Sequence, residues 1–178
     1  MTQTTQLKCA CGQTCLEVQG APIASVECCC TSCREGAERI QSLEGAPQIL
    51  TDYDATPYVM YRKDRVQIVS GSDQLREFYL TPEAKTRRVV ATCCNTLVFV
   101  EFAQGHWLSI YAGLWPEGAR PDLQMRTMAA DLSEGTTLPS DVPNAGKHSV
   151  SLMVKLLAAW VAMGFRVPKV PVFDRLDT

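Results

Sequence analysis

Clustered cysteines constrain this chain more than any other feature of its sequence. Nine cysteines occur in 178 residues, and most of them stand in short groups. Such groups serve either as disulfides or as metal ligands, and the cellular compartment and the spacing decide between the two. The groups are Cys9-Ala10-Cys11, Cys28-Cys29-Cys30-Thr31-Ser32-Cys33 and Cys93-Cys94, while Cys15 stands alone.

The rest of the sequence favours a reducing compartment. Residues 1–6 are polar and lack the apolar stretch of a secretory signal. A membrane-spanning helix needs about 18 or more uninterrupted apolar residues, whereas the best apolar run, 150–164, is shorter and contains Lys155. We therefore expect a cytoplasmic protein without membrane contact, in which the grouped cysteines bind metal. The odd number of cysteines also fits complete disulfide pairing poorly.

Composition predicts a single domain over residues 1–178. Within it, we expect residues 7–115 to form a zinc-binding β core and residues 116–178 to form a loop and a C-terminal helix packed on that core. Seventeen basic and nineteen acidic side chains give a net charge of −2, with no block of basic residues. A nucleic-acid partner is not expected, because phosphate binding needs a basic face.

Short segments rich in β-branched and aromatic residues predict a mainly β (α+β) fold with small antiparallel sheets. Residues 97–102 form the clearest strand, and residues 107–111 follow Gly105 as its hairpin partner. The frequent turn signals favour antiparallel sheets over repeated βαβ units. Further strands are predicted at 16–20, 66–70 and 86–92.

Two helices interrupt the predicted strands. Residues 33–43 place apolar side chains at helical spacing, and Gly45-Ala46-Pro47 follows them. The clearer helix covers 150–163, with Ser149 as its cap and Gly164 at its end. Its broad apolar face should be buried against the sheet or against a second subunit in a homodimer. One stripe of that face consists of Val150, Val154, Leu157 and Val161.

The segment between these helices and strands has little regular pattern. Residues 116–143 contain two glycines and several prolines, and the stretch 133–137 is polar. We predict that 116–143 forms a long surface loop.

The motif Cys28-x-Cys30-x-x-Cys33 is the strongest local signal. A Cys-x-x-Cys turn brings two sulfurs to one ion, and the preceding Cys-x-Cys adds a third from an extended stretch, where alternate side chains share a face. Cys29 should then point away. Three ligands from one segment leave the fourth position of a tetrahedral zinc open, which is typical of a catalytic ion. A structural site closed by a distant fourth ligand remains an equal alternative.

Cys9 and Cys11 offer two further sulfurs, so a distant pair must complete their site. Cys93 and Cys94 form the remaining group, and both can join one ion only if the chain turns there. Asn95 tolerates the backbone angles of such a turn. The alternative is that only one of the two binds metal, while Cys94, like Cys15, is a small buried hydrophobe. All-thiolate ligation suits zinc, in one or two ions, and also iron.

The two histidines give a weaker signal. His106 falls in the predicted hairpin turn and His148 lies next to the Ser149 cap. Either could bind metal or act as a base, but isolated exposed histidines seldom do.

The order of the cysteine motifs resembles the glutathione-dependent formaldehyde-activating enzyme and centromere protein V family. That family opens with Cys-x-Cys-Gly, continues with Cys-His-Cys-x-x-Cys and a Gly-Ala pair, and closes with Cys-x-x-Cys-Gly-Ser/Thr-Pro-Leu. The resemblance covers residues 7–102. The matching residues here are Leu7-Lys8-Cys9-Ala10-Cys11-Gly12, Cys28-x-Cys30-x-x-Cys33-Arg34 with Gly36-Ala37, and Cys93-Cys94-Asn95-Thr96-Leu97.

The resemblance implies a zinc fold like that of a small Rab-GTPase regulator, with two zinc ions. Cys9 and Cys11 would belong to a structural site. Cys28, Cys30 and Cys33 would hold the catalytic zinc, which in the family meets the thiol of glutathione. The implied reaction joins glutathione and formaldehyde into S-hydroxymethylglutathione, which is carbon–sulfur lyase chemistry.

This chain departs from the family pattern at two points. Cys29 stands where the family usually has histidine. In the last motif, aligning Leu97 with the family's leucine puts Cys93 on the second family cysteine and the first on Val90; a shift by one residue puts the first on Ala91 instead, and neither residue can bind metal. The structural site therefore lacks its usual fourth ligand unless Cys94 replaces it.

Three hypotheses follow. The first is a zinc enzyme that acts on the adduct of a small, glutathione-type thiol with formaldehyde or a similar electrophile. The second is a non-enzymatic binding module that zinc stabilises. The third is redox sensing by the spare thiols of Cys15, Cys29 and Cys94.

Overall fold

The computed structural model describes residues 3–176, which form eleven strands and two α-helices. The helices are α1 (Thr31–Gln41) and α2 (Val150–Ala162). The strands are β1 (Thr4–Lys8), β2 (Cys15–Gln19), β3 (Ala24–Cys28), β4 (Thr56–Arg62), β5 (Val66–Ser70), β6 (Leu75–Phe78), β7 (Thr86–Ala91), β8 (Thr96–Phe102), β9 (Trp107–Tyr111), β10 (Met125–Thr127) and β11 (Asp174–Arg175).

The strands form two sheets. Eight of them make one sheet in the order β10-β3-β4-β9-β8-β7-β6-β11, and β1, β2 and β5 make a small antiparallel sheet. The central pairs of the large sheet are antiparallel, whereas the edge strands β10 and β11 pair in parallel with β3 and β6. The predicted mainly β class with a C-terminal helix is confirmed, although one sheet is larger than expected.

Burial explains why the central strands lack a strict alternation of apolar and polar residues. All residues of β4 except Arg62, and all residues of β8 except Phe102, are buried. A strand covered on both faces is apolar at every position. The strand predicted at 97–102 and its hairpin partner β9 therefore lie in the middle of the sheet, where they pair antiparallel.

Helix α1 begins two residues earlier than predicted, directly after Cys30. Its buried side is formed by Cys33, Gly36, Ala37 and Ile40, which fall on one face of the helix. Gly36 is required by a close approach, because a Cβ atom there would lie 2.0 Å from Nε of Arg88 on β7. This contact fixes α1 against the large sheet.

Helix α2 has the predicted cap, since the Ser149 hydroxyl accepts a hydrogen bond of 3.1 Å from the backbone N–H of Leu152. The predicted burial of its stripe is wrong for this chain alone: Val150, Val154, Leu157 and Val161 are all exposed. Leu152 and Leu156 face the core instead. Apolar residues occupy most positions around the circumference of α2, so the sequence pattern could not show which face is packed. Within residues 3–176, neither helix is long and apolar enough to cross a membrane.

Part of the segment predicted as a loop belongs to the large sheet. Residues Met125–Thr127 pair with β3, and Arg126 is buried, with its Nε donating to Glu27 at 2.7 Å. The loop prediction for 116–143 is therefore wrong at this point, because a three-residue strand is too short to show any periodicity.

Candidate metal centres and an adjoining cavity

Two groups of cysteines are each brought together by the fold. The sulfurs of Cys9, Cys11, Cys93 and Cys94 all lie within 4.8 Å of one another, and so do those of Cys28, Cys30 and Cys33. The grouping includes both members of the vicinal pair and excludes Cys15 and Cys29. The four-cysteine group is formed by the β1–β2 turn of the small sheet and the β7–β8 turn of the large sheet. The three-cysteine group lies where β3 leads into α1.

A tight loop shapes the first half of the four-cysteine group. The chain turns between β1 and β2, where Cys9 N–H donates to the Thr14 carbonyl at 3.0 Å and Gly12 has a φ of +78°. The Thr14 N–H donates to the sulfur of Cys9 at 3.3 Å. Burial opposes ionisation of Cys9, but this bond and the neighbouring thiols outweigh it and lower the pKa of Cys9 to about 6.

A second turn supplies Cys93 and Cys94 between β7 and β8. Asn95 has a φ of +51°, the left-handed conformation that asparagine tolerates, and the Cys94 N–H donates to the Ala91 carbonyl at 3.3 Å. The two loops are joined by Thr96, whose hydroxyl accepts from the Ala10 N–H at 3.1 Å and contacts the Cys94 sulfur at 3.1 Å.

The spacing of these sulfurs fits a tetrahedral thiolate site. Zn–S bonds of about 2.3 Å imply S···S edges of about 3.8 Å. The sulfur of Cys9 lies 3.6 Å from that of Cys11 and 3.7 Å from that of Cys93, and Cys93 and Cys94 are 3.8 Å apart. The donor set of four cysteines therefore fits zinc.

The three-cysteine group is built by the end of a strand and the start of a helix. Cys28 ends β3, Cys30 caps α1, and Cys33 lies in the first turn of α1. The sulfur of Cys30 accepts a hydrogen bond of 3.4 Å from the Cys33 N–H. The N-terminus of a helix favours a thiolate. Among the described residues, no fourth cysteine, histidine or carboxylate joins this group.

The three thiols share negative charge unequally. Hydrogen bonds from Cys28 and Cys33 lower the pKa of Cys30 to about 2. The contact with Cys30, together with burial, raises the pKa of Cys28 to about 12, although the contact with Cys33 opposes this, and the pKa of Cys33 also rises. Cys28 and Cys33 are buried whereas Cys30 is partly exposed. The arrangement therefore stabilises a thiolate at Cys30 in particular.

Arg88 places a buried positive charge beside the three-cysteine group. Its side chain is 1% exposed, and within residues 3–176 no carboxylate forms an ion pair with it. Its Nη2 donates to the carbonyl and hydroxyl oxygens of Ser32, at 2.6 and 2.9 Å, and its charge helps to lower the pKa of Cys30. A buried charge needs a counter-charge. Three thiolates around a divalent cation carry a net charge of −1, which this guanidinium would neutralise.

A cavity of about 640 Å³ opens at the three-cysteine group. Side chains of the large sheet form its floor, including those of Val26, Met60 and Val100. Side chains of α2, including those of Leu156 and Trp160, form its roof. Cys28, Cys30 and Cys33 all line this cavity. Tyr58 lines it as well and lies against Cys33; burial and the nearby thiols raise the pKa of Tyr58 far above its usual value.

The remaining sequence candidates have other positions. His148 lines the cavity and is exposed. His106 is buried, which corrects its expected place in an exposed turn: Nε2 contacts the Leu156 carbonyl at 2.9 Å and the ring stacks on Trp160. Cys29 is fully buried, and the sulfur of Cys15 faces the Leu16 carbonyl at 3.6 Å.

Sequence reasoning missed Arg88, Tyr58 and the cavity wall on α2. The only local signal for Arg88 is a charged residue within a strand whose neighbours Val89 and Val90 are apolar. Its proximity to α1 depends on strand order, which the sequence does not display.

Comparisons with known proteins add little to this geometry. No protein-family model and no curated protein matches the chain. The chain is similar to a crystal structure of a Rhodobacter sphaeroides protein from a structural genomics programme, with 16% identity and a TM-score of 0.47 over 78% of this chain and 98% of that one.

Proposed function

We propose that this protein is a zinc enzyme that forms or breaks a carbon–sulfur bond between a small thiol and a carbonyl electrophile such as formaldehyde. Cys28, Cys30 and Cys33 hold the catalytic ion, and Cys9, Cys11, Cys93 and Cys94 hold a structural one. One observation carries the proposal: three grouped sulfurs, with no fourth donor among the described residues, face a cavity large enough for a small molecule.

The contrast between the two groups supports the division of roles. Four protein sulfurs close a tetrahedral site, and such sites are structural. Three would leave one position for an exogenous ligand, and all three of these cysteines line the cavity. When bound, zinc lowers the pKa of a thiol ligand so that the thiol binds as a thiolate.

The reaction does not require a general base from the protein, because the nucleophile is the thiol of the substrate. The thiol sulfur forms a bond to the carbonyl carbon while the C=O π bond breaks, and the proton lost by the thiol ends on the former carbonyl oxygen. The reverse reaction releases the same two molecules. The cysteines position the sulfur, and Arg88 balances the charge of the group.

The resemblance to the glutathione-dependent formaldehyde-activating family supports the proposed reaction class, and glutathione, the thiol of that family, is one member of the thiol panel that tests it. It rests on ordered cysteine spacings in residues 7–102. Grouped reduced cysteines also suit the proposed cytoplasmic location.

The test is the rate of adduct formation between a thiol and formaldehyde in the presence of zinc-loaded protein, measured by exchange NMR. We expect faster exchange than without protein, and loss of the acceleration in Cys30→Ser. Cys29→Ala is the matched control, because Cys29 is buried beside the group but does not join it. The absence of acceleration across a panel of thiols would refute the enzymatic proposal.

A second candidate is a non-enzymatic binding module stabilised by zinc. The exposed apolar side chains of α2 favour it, since exposed apolar patches often mark interaction sites. The two candidates differ at the three-cysteine group. Cobalt-substituted protein whose absorption spectrum does not respond to any added thiol would favour the binding module.

A further inference from the structure

We propose that the thiol substrate of this site is an uncharged, mainly apolar molecule, and that a charged tripeptide such as glutathione is a poor ligand. The inference rests on the proposed function, because it concerns the ligand that completes the three-cysteine site. It comes from the chemistry of the cavity wall, which is independent of the cysteine spacing.

No lysine, arginine, aspartate or glutamate from the described part of the chain lines the cavity. Its floor and roof are mostly aliphatic and aromatic, with Val26, Met60, Val100, Leu156 and Trp160 as representative residues. The polar groups present are hydroxyls, thiols, one amide, the indole N–H groups of Trp107 and Trp160, and the two histidines. They can orient a neutral ligand, but they provide no fixed cation for a carboxylate.

The charge of Arg88 does not change this conclusion. Its side chain is 1% exposed and does not line the cavity. It donates to Ser32, and its charge would be balanced by the three thiolates of the metal-loaded site. A ligand in the cavity therefore meets a mainly apolar wall beside the three cysteines.

The energetics favour a neutral ligand. Glutathione has two carboxylates and one ammonium group at neutral pH, and moving an ionised carboxylate into an apolar site without a partner is strongly unfavourable. Apolar thiols gain free energy from burial against the same wall. The volume of about 640 Å³ falls within the usual range for small-molecule sites.

Helix α2 provides a matched pair of positions to test the cavity wall. Leu157 lines the cavity, whereas Val154, one turn earlier, does not, and both side chains are more than half exposed. Replacing either by glutamine should leave the fold intact. Leu157→Gln should weaken binding of an apolar thiol about fivefold, since it removes part of one aliphatic contact, and Val154→Gln should leave binding unchanged.

The experiment is a titration of cobalt-loaded protein with each of four thiols. The sulfur-to-cobalt charge-transfer absorption reports binding. The probes are N-acetylcysteine, its uncharged methyl ester, benzyl mercaptan and glutathione. We expect the ester to bind at least about tenfold more tightly than the acid, benzyl mercaptan to bind well, and glutathione to bind weakly.

The outcomes separate the two proposals. Binding of glutathione or N-acetylcysteine as tightly as the neutral thiols, or an unchanged affinity for benzyl mercaptan in Leu157→Gln, would overturn this inference while leaving the proposed function standing. No spectral response to any of the four thiols would overturn the proposed function and this inference together.

Discussion

The sulfur of Cys9 lies 3.7 Å from that of Cys93, although 84 positions separate the two residues in the chain. Cys9 follows β1 of the small sheet, and Cys93 lies in the turn between β7 and β8 of the large sheet. A metal ion held by both would fasten the two sheets together. The three-cysteine group, in contrast, spans only the junction of β3 with α1.

This difference predicts unequal effects of two cysteine substitutions. Cys11→Ser should release one metal ion and destabilise the whole fold by about 3 kcal/mol or more, because the site closes a long loop and its metal binding contributes to folding. Cys30→Ser should also release one ion but leave the fold largely intact. Thermal melts and zinc counts on both variants check this, with Cys15→Ala as the control. A loss of stability in Cys30→Ser equal to that in Cys11→Ser would contradict the assignment.

Arg88→Met should weaken metal binding at the three-cysteine group by about tenfold, since groups around the ligands commonly contribute that much to affinity. The reason is loss of the charge that balances the thiolates. Arg88→Lys should restore part of the affinity. Competition with a chelator gives the affinity, and circular dichroism verifies the fold. Affinities within twofold for all three proteins would show that Arg88 has only a packing role.

Gly36→Ala should destabilise the protein, although replacing glycine by alanine within a helix usually stabilises it by about 1 kcal/mol. The new Cβ would lie 2.0 Å from Nε of Arg88. In the background of Arg88→Met the penalty should shrink, because the flexible thioether can move aside. Urea denaturation of the two single variants and the double variant measures this coupling. A more stable Gly36→Ala protein would contradict the packing described.

Buried His106 predicts a loss of stability in mild acid. Burial lowers the pKa of His106 below its ordinary value of 6.5, and the charge of Lys63 adds to this effect, although the bond to the Leu156 carbonyl opposes it. The unfolded chain takes up a proton near pH 6.5, whereas the folded chain does so only at lower pH. The stability that neutral His106 provides is therefore complete above about pH 6.5 and is lost as the pH falls from there towards the folded pKa.

Thermal melts between about pH 7.5 and pH 5.5 test this sign. The native protein should lose more stability over this range than His106→Gln, which keeps a neutral partner for the Leu156 carbonyl. His148→Gln is the matched control at the exposed histidine. Parallel pH profiles for the native protein and His106→Gln would show that His106 does not titrate differently on folding.

The elements that sequence reasoning predicts best are those with a local cause. Ser149 marks the start of α2 because a hydroxyl before an apolar run satisfies the free N–H groups of a helix. Strand β8 is evident from its β-branched and aromatic residues. The grouping of Cys28, Cys30 and Cys33 follows from short spacing, and Asn95 indicates the turn that brings Cys93 and Cys94 together.

The features that could not be predicted depend on tertiary neighbours. The packed face of α2 is set by the cavity and His106, and its residues look no different in the sequence from exposed Val154. Strand β10 pairs with β3, and its Arg126 contacts Glu27 across 99 positions of the chain. The apolar cavity wall, on which the proposed substrate class rests, draws its residues from most strands of the large sheet and therefore has no signature in any one segment.

Metal analysis combined with X-ray absorption on the purified protein tests the central claim most directly. The account predicts two zinc ions per chain, coordinated by seven protein sulfurs in total, with the eighth position taken by oxygen or nitrogen in the absence of thiols. Added benzyl mercaptan should convert that position to sulfur. Fewer than two ions per chain, or eight sulfur ligands before any thiol is added, would contradict it.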